Sequence, residues 1–313
     1  MAESPLVGAV VEGFATIGVV IGVGFLLAHL HVLDAHAQVV LSRLAFFVAS
    51  PALMVTVLAG ADVHHALSRN LAATACGVLV AATLYGLAAR RVFRHDVGDT
   101  VIGMLCSSYV NAGNLGLPIA AYVLGDAALV APTLLLQLLF LQPLALAVLD
   151  SAGRETKLSW WSLLRRPLTT PLTVGSLLGV VLSLTGTELP RAVADPLELL
   201  GGIAVPAMLV AYGVSLRLGP LPGAGPPPGE LAWVSTLKLV VQPVVAGLVA
   251  AYALGLGGTD LLAVVVTSAL PTAQNIFVHA NRYQRAVLLA RDAIFVTTLA
   301  SVPVIFVAVA VLT

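Results

Sequence analysis

The sequence predicts an all-α membrane protein of ten transmembrane helices, arranged as two inverted five-helix repeats in which broken helices 4 and 9 cross. Three observations predict this class: the composition, a row of apolar runs, and a weak similarity between the two halves. Of the 313 residues, 59% are hydrophobic and 10% are charged, and the mean hydropathy is +1.02. Soluble domains carry about 25% charged residues, so this chain cannot build a surface that faces water. It is expected to lie in a lipid bilayer.

Ten apolar runs are separated by charged residues, prolines and glycines. They fall at 5–28, 41–60, 71–89, 99–124, 128–149, 168–187, 196–216, 231–255, 260–279 and 286–312. A transmembrane helix needs about 20 apolar residues, so each run is read as one span. The first run has no Lys or Arg before it and is too long for the apolar region of a signal peptide. We expect it to be a retained span.

The charges predict how the chain sits in the membrane. Fifteen basic and fifteen acidic residues cancel, and no basic block occurs, so nucleic acid is not an expected partner. With ten spans both termini share one face. The opposite face receives eleven Lys and Arg residues against two on the terminal face. The positive-inside rule therefore predicts a protein of the cell (inner) membrane with both termini outside.

The two halves of the chain resemble each other weakly. Residues 1–150 are predicted to form one five-helix repeat, 151–167 a polar cytoplasmic loop, and 168–313 the second repeat. A shift of 155 positions lays Pro51 over Pro206 and Gly24 over Gly179. Because each half has an odd number of spans, the second enters the membrane from the opposite side, which makes the repeat inverted. Chance similarity between apolar helices is the alternative.

Spans four and nine each contain residues that interrupt a helix. In span four these are Asn111, Gly113, Asn114, Gly116 and Pro118, and in span nine Pro271, Thr272, Gln274 and Asn275. Proline lacks the backbone N–H and glycine costs backbone entropy, so both helices should break. Matched breaks in two inverted halves indicate a substrate-binding site of a transporter. The N-terminus of a half-helix can hold a carboxylate, and amides add neutral donors. Helix packing through small and amide residues is the alternative.

These residues carry a resemblance to the auxin efflux carrier family, which includes plant PIN-type carriers and bacterial malonate and malate type carriers. The most specific match is the stretch 111–118, Asn-Ala-Gly-Asn-Leu-Gly-Leu-Pro. Weaker matches lie at 24–27, 51–53, 171–179, 206, 213–216, 238, 243 and 271. The resemblance runs from end to end and implies the fold of bile-acid symporters and sodium/proton antiporters, with the substrate where spans four and nine cross. The central loop is short, so the regulatory phosphorylation loop of plant carriers is not expected here.

Some charged residues lie well inside predicted spans. Glu12 and Lys238 each fall about eight residues into a span and are candidates for ion coupling. The alternative is that their long side chains reach the headgroups from near a helix end. The adjacent Arg291 and Asp292 are expected to form a local pair at the membrane interface. Neither the cysteines nor the histidines have the spacing of a metal or cofactor site, so none is expected.

The function predicted from the sequence is secondary transport of a small organic anion, a carboxylate, by alternating access at the crossing of helices 4 and 9. A membrane-embedded ligand sensor or scaffold without transport is the alternative. An enzyme is not expected, because paired carboxylates at membrane depth and the HExxH and GxSxG motifs are missing from the sequence. The expected partners are the anion, the lipid bilayer and, as an assembly to test, a second copy in a homodimer. Proton coupling or uncoupled anion flux is favoured over sodium symport, because no Asp or Glu lies close to either break.

Overall fold

The computed structural model describes residues 5–60, 69–116, 119–120, 124–152, 171–219 and 225–312. Its helices in chain order are α1 Pro5–His29, α2 Ala35–Ala59, α3 Arg69–Phe93, α4 Val97–Ser108, α5 Pro132–Ala152, α6 Pro171–Thr185, α7 Arg191–Leu218, α8 Pro228–Ala253, α9 Gly258–Ser268, α10 Asn275–Tyr283 and α11 Val287–Leu312. A short π-helical segment, Ala112–Gly116, follows α4.

Within these described ranges, six helices are long and apolar enough to cross a membrane. They are α2, α3, α5, α7, α8 and α11. Four shorter apolar helices, Gly18–His29, Val97–Ser108, Val174–Thr185 and Gly258–Ser268, lie within the remaining predicted spans. The all-α membrane class is confirmed, while the count of ten spans stays a prediction.

Among the six long helices, the largest boundary difference is at the start of α2, which begins at Ala35 instead of residue 41. The carboxylate of Asp34 accepts a hydrogen bond from the N–H of Ala37 at 2.7 Å. This N-cap allows a stretch that is polar enough to resemble a loop to form the first turns of the helix. The earlier start makes Arg43 the ninth residue of α2 instead of the third.

Glycines bring α1 against α7 and α6 against α2. A Cβ atom on Gly24 would lie 2.3 Å from the carbonyl oxygen of Val210, and one on Gly179 would lie 3.0 Å from that of Val55. Neither contact leaves room for a side chain, so the helix backbones touch. The shift of 155 positions that relates Gly24 to Gly179 also relates Val55 to Val210.

The contacts divide the helices into two groups that each draw on both halves of the chain. Helices α1, α2, α6 and α7 pack mainly on one another, and α3, α4, α5, α8, α9, α10 and α11 form the second group. A buried apolar cluster joins the groups; it includes Met54 and Leu209 from the first and Val110, Leu115 and Leu270 from the second. The interruptions of spans four and nine therefore lie deep in the molecule, at the contact between the groups.

Candidate functional site

The interruptions of spans four and nine bind each other through their backbones. Val110 and Thr272 form an isolated antiparallel bridge. Its hydrogen bonds run from Asn111 N–H to the Pro271 carbonyl at 2.8 Å and from Ala273 N–H to the Tyr109 carbonyl at 3.1 Å. The prediction that both helices break is confirmed for the described residues. We call the paired segments 109–111 and 271–273 the crossover.

Side chains satisfy the other backbone groups of the crossover. Gln137 of α5 accepts a hydrogen bond from Val110 N–H at 2.6 Å, and Thr297 of α11 accepts one from Thr272 N–H at 3.1 Å. The hydroxyl of Thr272 donates to the carbonyl of Cys106 at 2.6 Å. Unpaired backbone groups are costly at membrane depth, so these bonds are what allow an irregular chain there.

Lys238 and Gln242 of α8 bind the carbonyl ends of the two half-helices. Nζ of Lys238 donates to the carbonyl of Ser268, the last residue of α9, at 3.0 Å, and to Oε1 of Gln242 at 2.8 Å. Gln242 Nε2 donates to the carbonyl of Ser108, the last residue of α4, at 3.1 Å. Lys238 is 0% exposed. Its amino group therefore donates to the carbonyl end of α9 and does not reach the headgroups.

A cavity of about 70 Å³ adjoins the crossover. Its lining includes Tyr109, Asn111, Gly113, Gln137, Gln274 and Asn275, and all its lining residues are uncharged. Helix α10 begins at Asn275, so the positive end of its dipole faces this cavity. A space of this size admits a few water molecules or a small polar ligand.

Two side chains at the crossover keep unused hydrogen-bonding atoms. Oε1 of Gln142 accepts from the Tyr109 hydroxyl at 3.0 Å and from Asn275 Nδ2 at 3.3 Å. Nε2 of Gln142 and Oδ1 of Asn275 are buried without a hydrogen-bond partner in the described part of the protein. Leaving such atoms unpaired costs about 1–3 kcal/mol each, and a bound polar molecule would remove that cost.

The structure brings most of the predicted site residues together. Asn111, Gly113, Gln274 and Asn275 line the cavity. Pro271 and Thr272 form the bridge beside it.

Gly116 serves packing in this structure. A Cβ atom there would lie 2.8 Å from Val130 and 3.0 Å from Leu270. Pro118 and the side chains of Asn114 and Glu12 lie outside the described residues.

Sequence reasoning missed four polar residues that hold the crossover, Gln137, Gln142, Gln242 and Thr297. An amide or hydroxyl in the middle of an apolar run is the signal that could have found them, because such a group needs a partner in the membrane. Two of the side chains that contact the crossover, Gln137 and Lys238, lie in π-helical turns, Leu136–Leu141 and Leu237–Val241. Such turns re-aim side chains and are frequent at functional sites.

The pair Arg291 and Asp292 differs from the sequence expectation. Their side chains are 4% and 0% exposed and are joined by a salt bridge of 2.5 Å. They are buried at the start of α11 instead of lying at the interface, because the pairing compensates each charge inside the protein.

Comparisons with known proteins agree with this fold. The family model described as "Membrane transport protein" matches residues 9–309. A protein of Rhizobium meliloti named "Putative malonate transporter" is 27% identical over 292 residues, covering 89% of this chain and 88% of the relative. An "Uncharacterized transporter" of Methanothermobacter thermautotrophicus is 28% identical over 297 residues, covering 93% of this chain and 94% of the relative.

Proposed function

Because the chain belongs to the Membrane transport protein family, that of the auxin efflux carriers, we propose that it carries a small organic anion by alternating access. Membership of this family makes the protein a membrane transporter. The proposal adds a carboxylate as the substrate and the crossover cavity as its binding site.

The unused polar atoms at the crossover are the observation that carries the proposal. Asn275, which lines the cavity, offers a buried acceptor beside the positive end of α10. Gln142, which contacts Asn275 from behind the lining, offers a buried donor. A carboxylate accepts hydrogen bonds from such donors and is favoured at the N-terminus of a helix. A protonated carboxyl group or a bound water would use the acceptor. The lining of the site is uncharged, so an anion would bind there through neutral hydrogen-bonding groups. It would not form a tight ion pair with a charged side chain.

Alternating access is supported by the arrangement of the helices. We propose that 1–150 and 168–313 are the two inverted repeats, because equivalent glycine contacts, Gly24 with Val210 and Gly179 with Val55, recur under one shift. Movement of one helix group against the other would expose the crossover to each side of the membrane in turn. The cavity is built from both groups, since Ser50 and Met208 line it together with Asn111 and Asn275.

Coupling to protons, or uncoupled flux, fits the site better than sodium symport. The carbonyl ends of α4 and α9 are where a sodium ion would find oxygen ligands, and the Lys238–Gln242 pair already binds them. Nitrogen donors at these carbonyls leave fewer free oxygen ligands for a sodium ion. Lys238 is therefore proposed to hold the end of α9 next to the substrate site.

The substrate class is proposed from the site and from the name of the Rhizobium relative. Malonate is a dicarboxylate small enough for a site built from a few amide groups. The test is uptake of radiolabelled malonate, malate, acetate, indole-3-acetate and alanine into proteoliposomes. We expect saturable uptake of a dicarboxylate and none of alanine. Binding of malonate without uptake of any carboxylate would contradict transport and favour the sensor or scaffold alternative.

A further inference from the structure

A second, larger cavity opens next to the crossover cavity. It has a volume of about 580 Å³, and its lining includes Gln38, Ser42, Arg43, Phe277, Val278 and Arg282. We call it the vestibule. Two arginines line it, and none of its described lining residues is an Asp or a Glu. It is therefore a positively charged space.

A small space, which we call the neck, lies between the vestibule and the crossover cavity. The neck has a volume of about 30 Å³. It shares Gln38, Ser42, Phe277 and Val278 with the vestibule, and Met208, Gln274 and Asn275 with the crossover cavity. The three spaces therefore lie side by side along α2, α7 and α10.

The two arginines come from opposite halves of the chain and line the same cavity. Arg43 is the ninth residue of α2, about 12 Å from its beginning, and Arg282 lies about 10 Å along α10 from Asn275. Both side chains are exposed, and the Arg282 guanidinium lies 5.6 Å from the centre of the Tyr283 ring. None of the salt bridges among the described residues includes Arg43 or Arg282. Their charges are available to a ligand.

We propose that the vestibule is a second anion site, in which Arg43 and Arg282 bind a carboxylate-bearing solute before it passes the neck. This inference rests on the proposed function and deepens it by assigning an entry site. A guanidinium pairs well with a carboxylate, and like charge around a cleft raises the local concentration of the opposite ion. The same arginines would attract the phosphate of an anionic lipid. The experiment distinguishes a carboxylate solute from such a lipid as the ligand.

The experiment measures malonate uptake into proteoliposomes that contain the Arg43→Gln variant, the Arg282→Gln variant or the double variant. We expect the KM for malonate to rise about tenfold in the double variant while the maximal rate stays within about twofold, because attraction into a charged cleft acts on capture. Raising the ionic strength should increase the wild-type KM and leave that of the double variant nearly unchanged. Arg43→Lys and Arg282→Lys keep the charge and should stay close to the wild type.

Arg91→Gln is the matched control, since Arg91 is exposed near the end of α3 and does not line the vestibule. Its KM should not change. All variants are measured in liposomes of phosphatidylcholine alone and with added phosphatidylglycerol. An unchanged KM in the double variant, or a change that needs phosphatidylglycerol, would overturn the solute site. Normal transport by Asn275→Ala would instead overturn the crossover site, so the two failures are distinguishable.

Discussion

The side chain of Asn275 combines the features of a substrate-binding residue. Its Nδ2 donates to Gln142, and its buried Oδ1 has no hydrogen-bond partner in the described structure. It is the first residue of α10 and lines both the neck and the crossover cavity. A ligand that moves from the vestibule to the crossover must pass this amide.

Asn275→Ala is predicted to lower malonate uptake at subsaturating concentration by about tenfold or more, through a higher KM, because a lost buried hydrogen bond to a charged ligand costs about 1.5–3 kcal/mol. Asn114→Ala, in the other break, is expected to do the same. The protein should stay folded, with a melting temperature lower by a few degrees at most. Proteoliposome uptake and thermal unfolding in detergent measure the two quantities.

Ser151→Ala is the control for this prediction, since Ser151 donates only to Val148 of its own helix, away from the crossover. It should transport normally. Normal uptake by both Asn variants would place the substrate site elsewhere.

At the residue scale, the sequence predicted where the two helices break but not which side chains bind the interrupted segments. Asn, Gly and Pro in an apolar run mark a break by local chemistry alone, so Asn111 and Pro271 could be identified. The binding of Lys238 to Ser268 joins residues 30 positions apart. A lysine eight residues into a span can also extend to the headgroups, and only packing decides between the two.

The π-helical turns and the glycine contacts act at the scale of the helix. One extra residue in a turn rotates everything that follows it, so the pattern of apolar positions does not reveal which side chains reach the crossover. Gln137 was missed for this reason, and Lys238 was identified without its contact to Ser268. The helix α2 was predicted too short because its first turns carry His36 and Gln38, which resemble loop residues. The capping carboxylate of Asp34 restores the helix there.

Gly24→Ala is predicted to destabilise the protein, because its Cβ would lie 2.3 Å from the carbonyl of Val210 and would push α1 away from α7. Overpacking of this kind costs about 1–3 kcal/mol. Gly22→Ala is the matched control on the same helix, since a Cβ there has no heavy atom within 4 Å. Thermal unfolding of both variants in one detergent measures the difference. Equal melting temperatures would contradict the packing of α1 on α7.

At the scale of the whole molecule, the sequence predicted the fold class well but the packing of the helices only in part. Composition and apolar runs give the membrane class, and the residues of the breaks give the family. The grouping of α1, α2, α6 and α7 across both halves could not be read from the sequence, because it depends on which helix faces meet. The inverted repeat, the orientation and the homodimer stay predictions.

The predicted orientation places both termini outside and the loop 151–167 inside. It is tested by cysteine labelling of Lys157→Cys in intact cells, with Cys76 and Cys106 replaced by alanine. We expect no reaction with a reagent that cannot cross the membrane until the cells are opened. Labelling in intact cells would reverse the orientation.

The coupling ion is a property of the whole transport cycle. Because Lys238 and Gln242 bind the carbonyl ends of α4 and α9, sodium is not expected to drive accumulation. Proteoliposomes with imposed gradients measure this at clamped voltage. Accumulation driven by an inward sodium gradient at equal pH, and not by a proton gradient, would contradict the account.

The central claim is that the substrate binds at the crossover, and protection of one engineered cysteine tests it most directly. Gly113 lines the crossover cavity, and a Cβ there has no heavy atom within 4 Å, so Gly113→Cys fits without strain. In protein lacking Cys76 and Cys106, the rate of its modification by a small methanethiosulfonate is measured with and without the carboxylate that the wild type transports. Gly202→Cys, equally open but away from the cavity, is the control. The account predicts that the carboxylate slows modification of Gly113→Cys in proportion to its occupancy and leaves Gly202→Cys unchanged. Equal rates for Gly113→Cys with and without saturating substrate would contradict it.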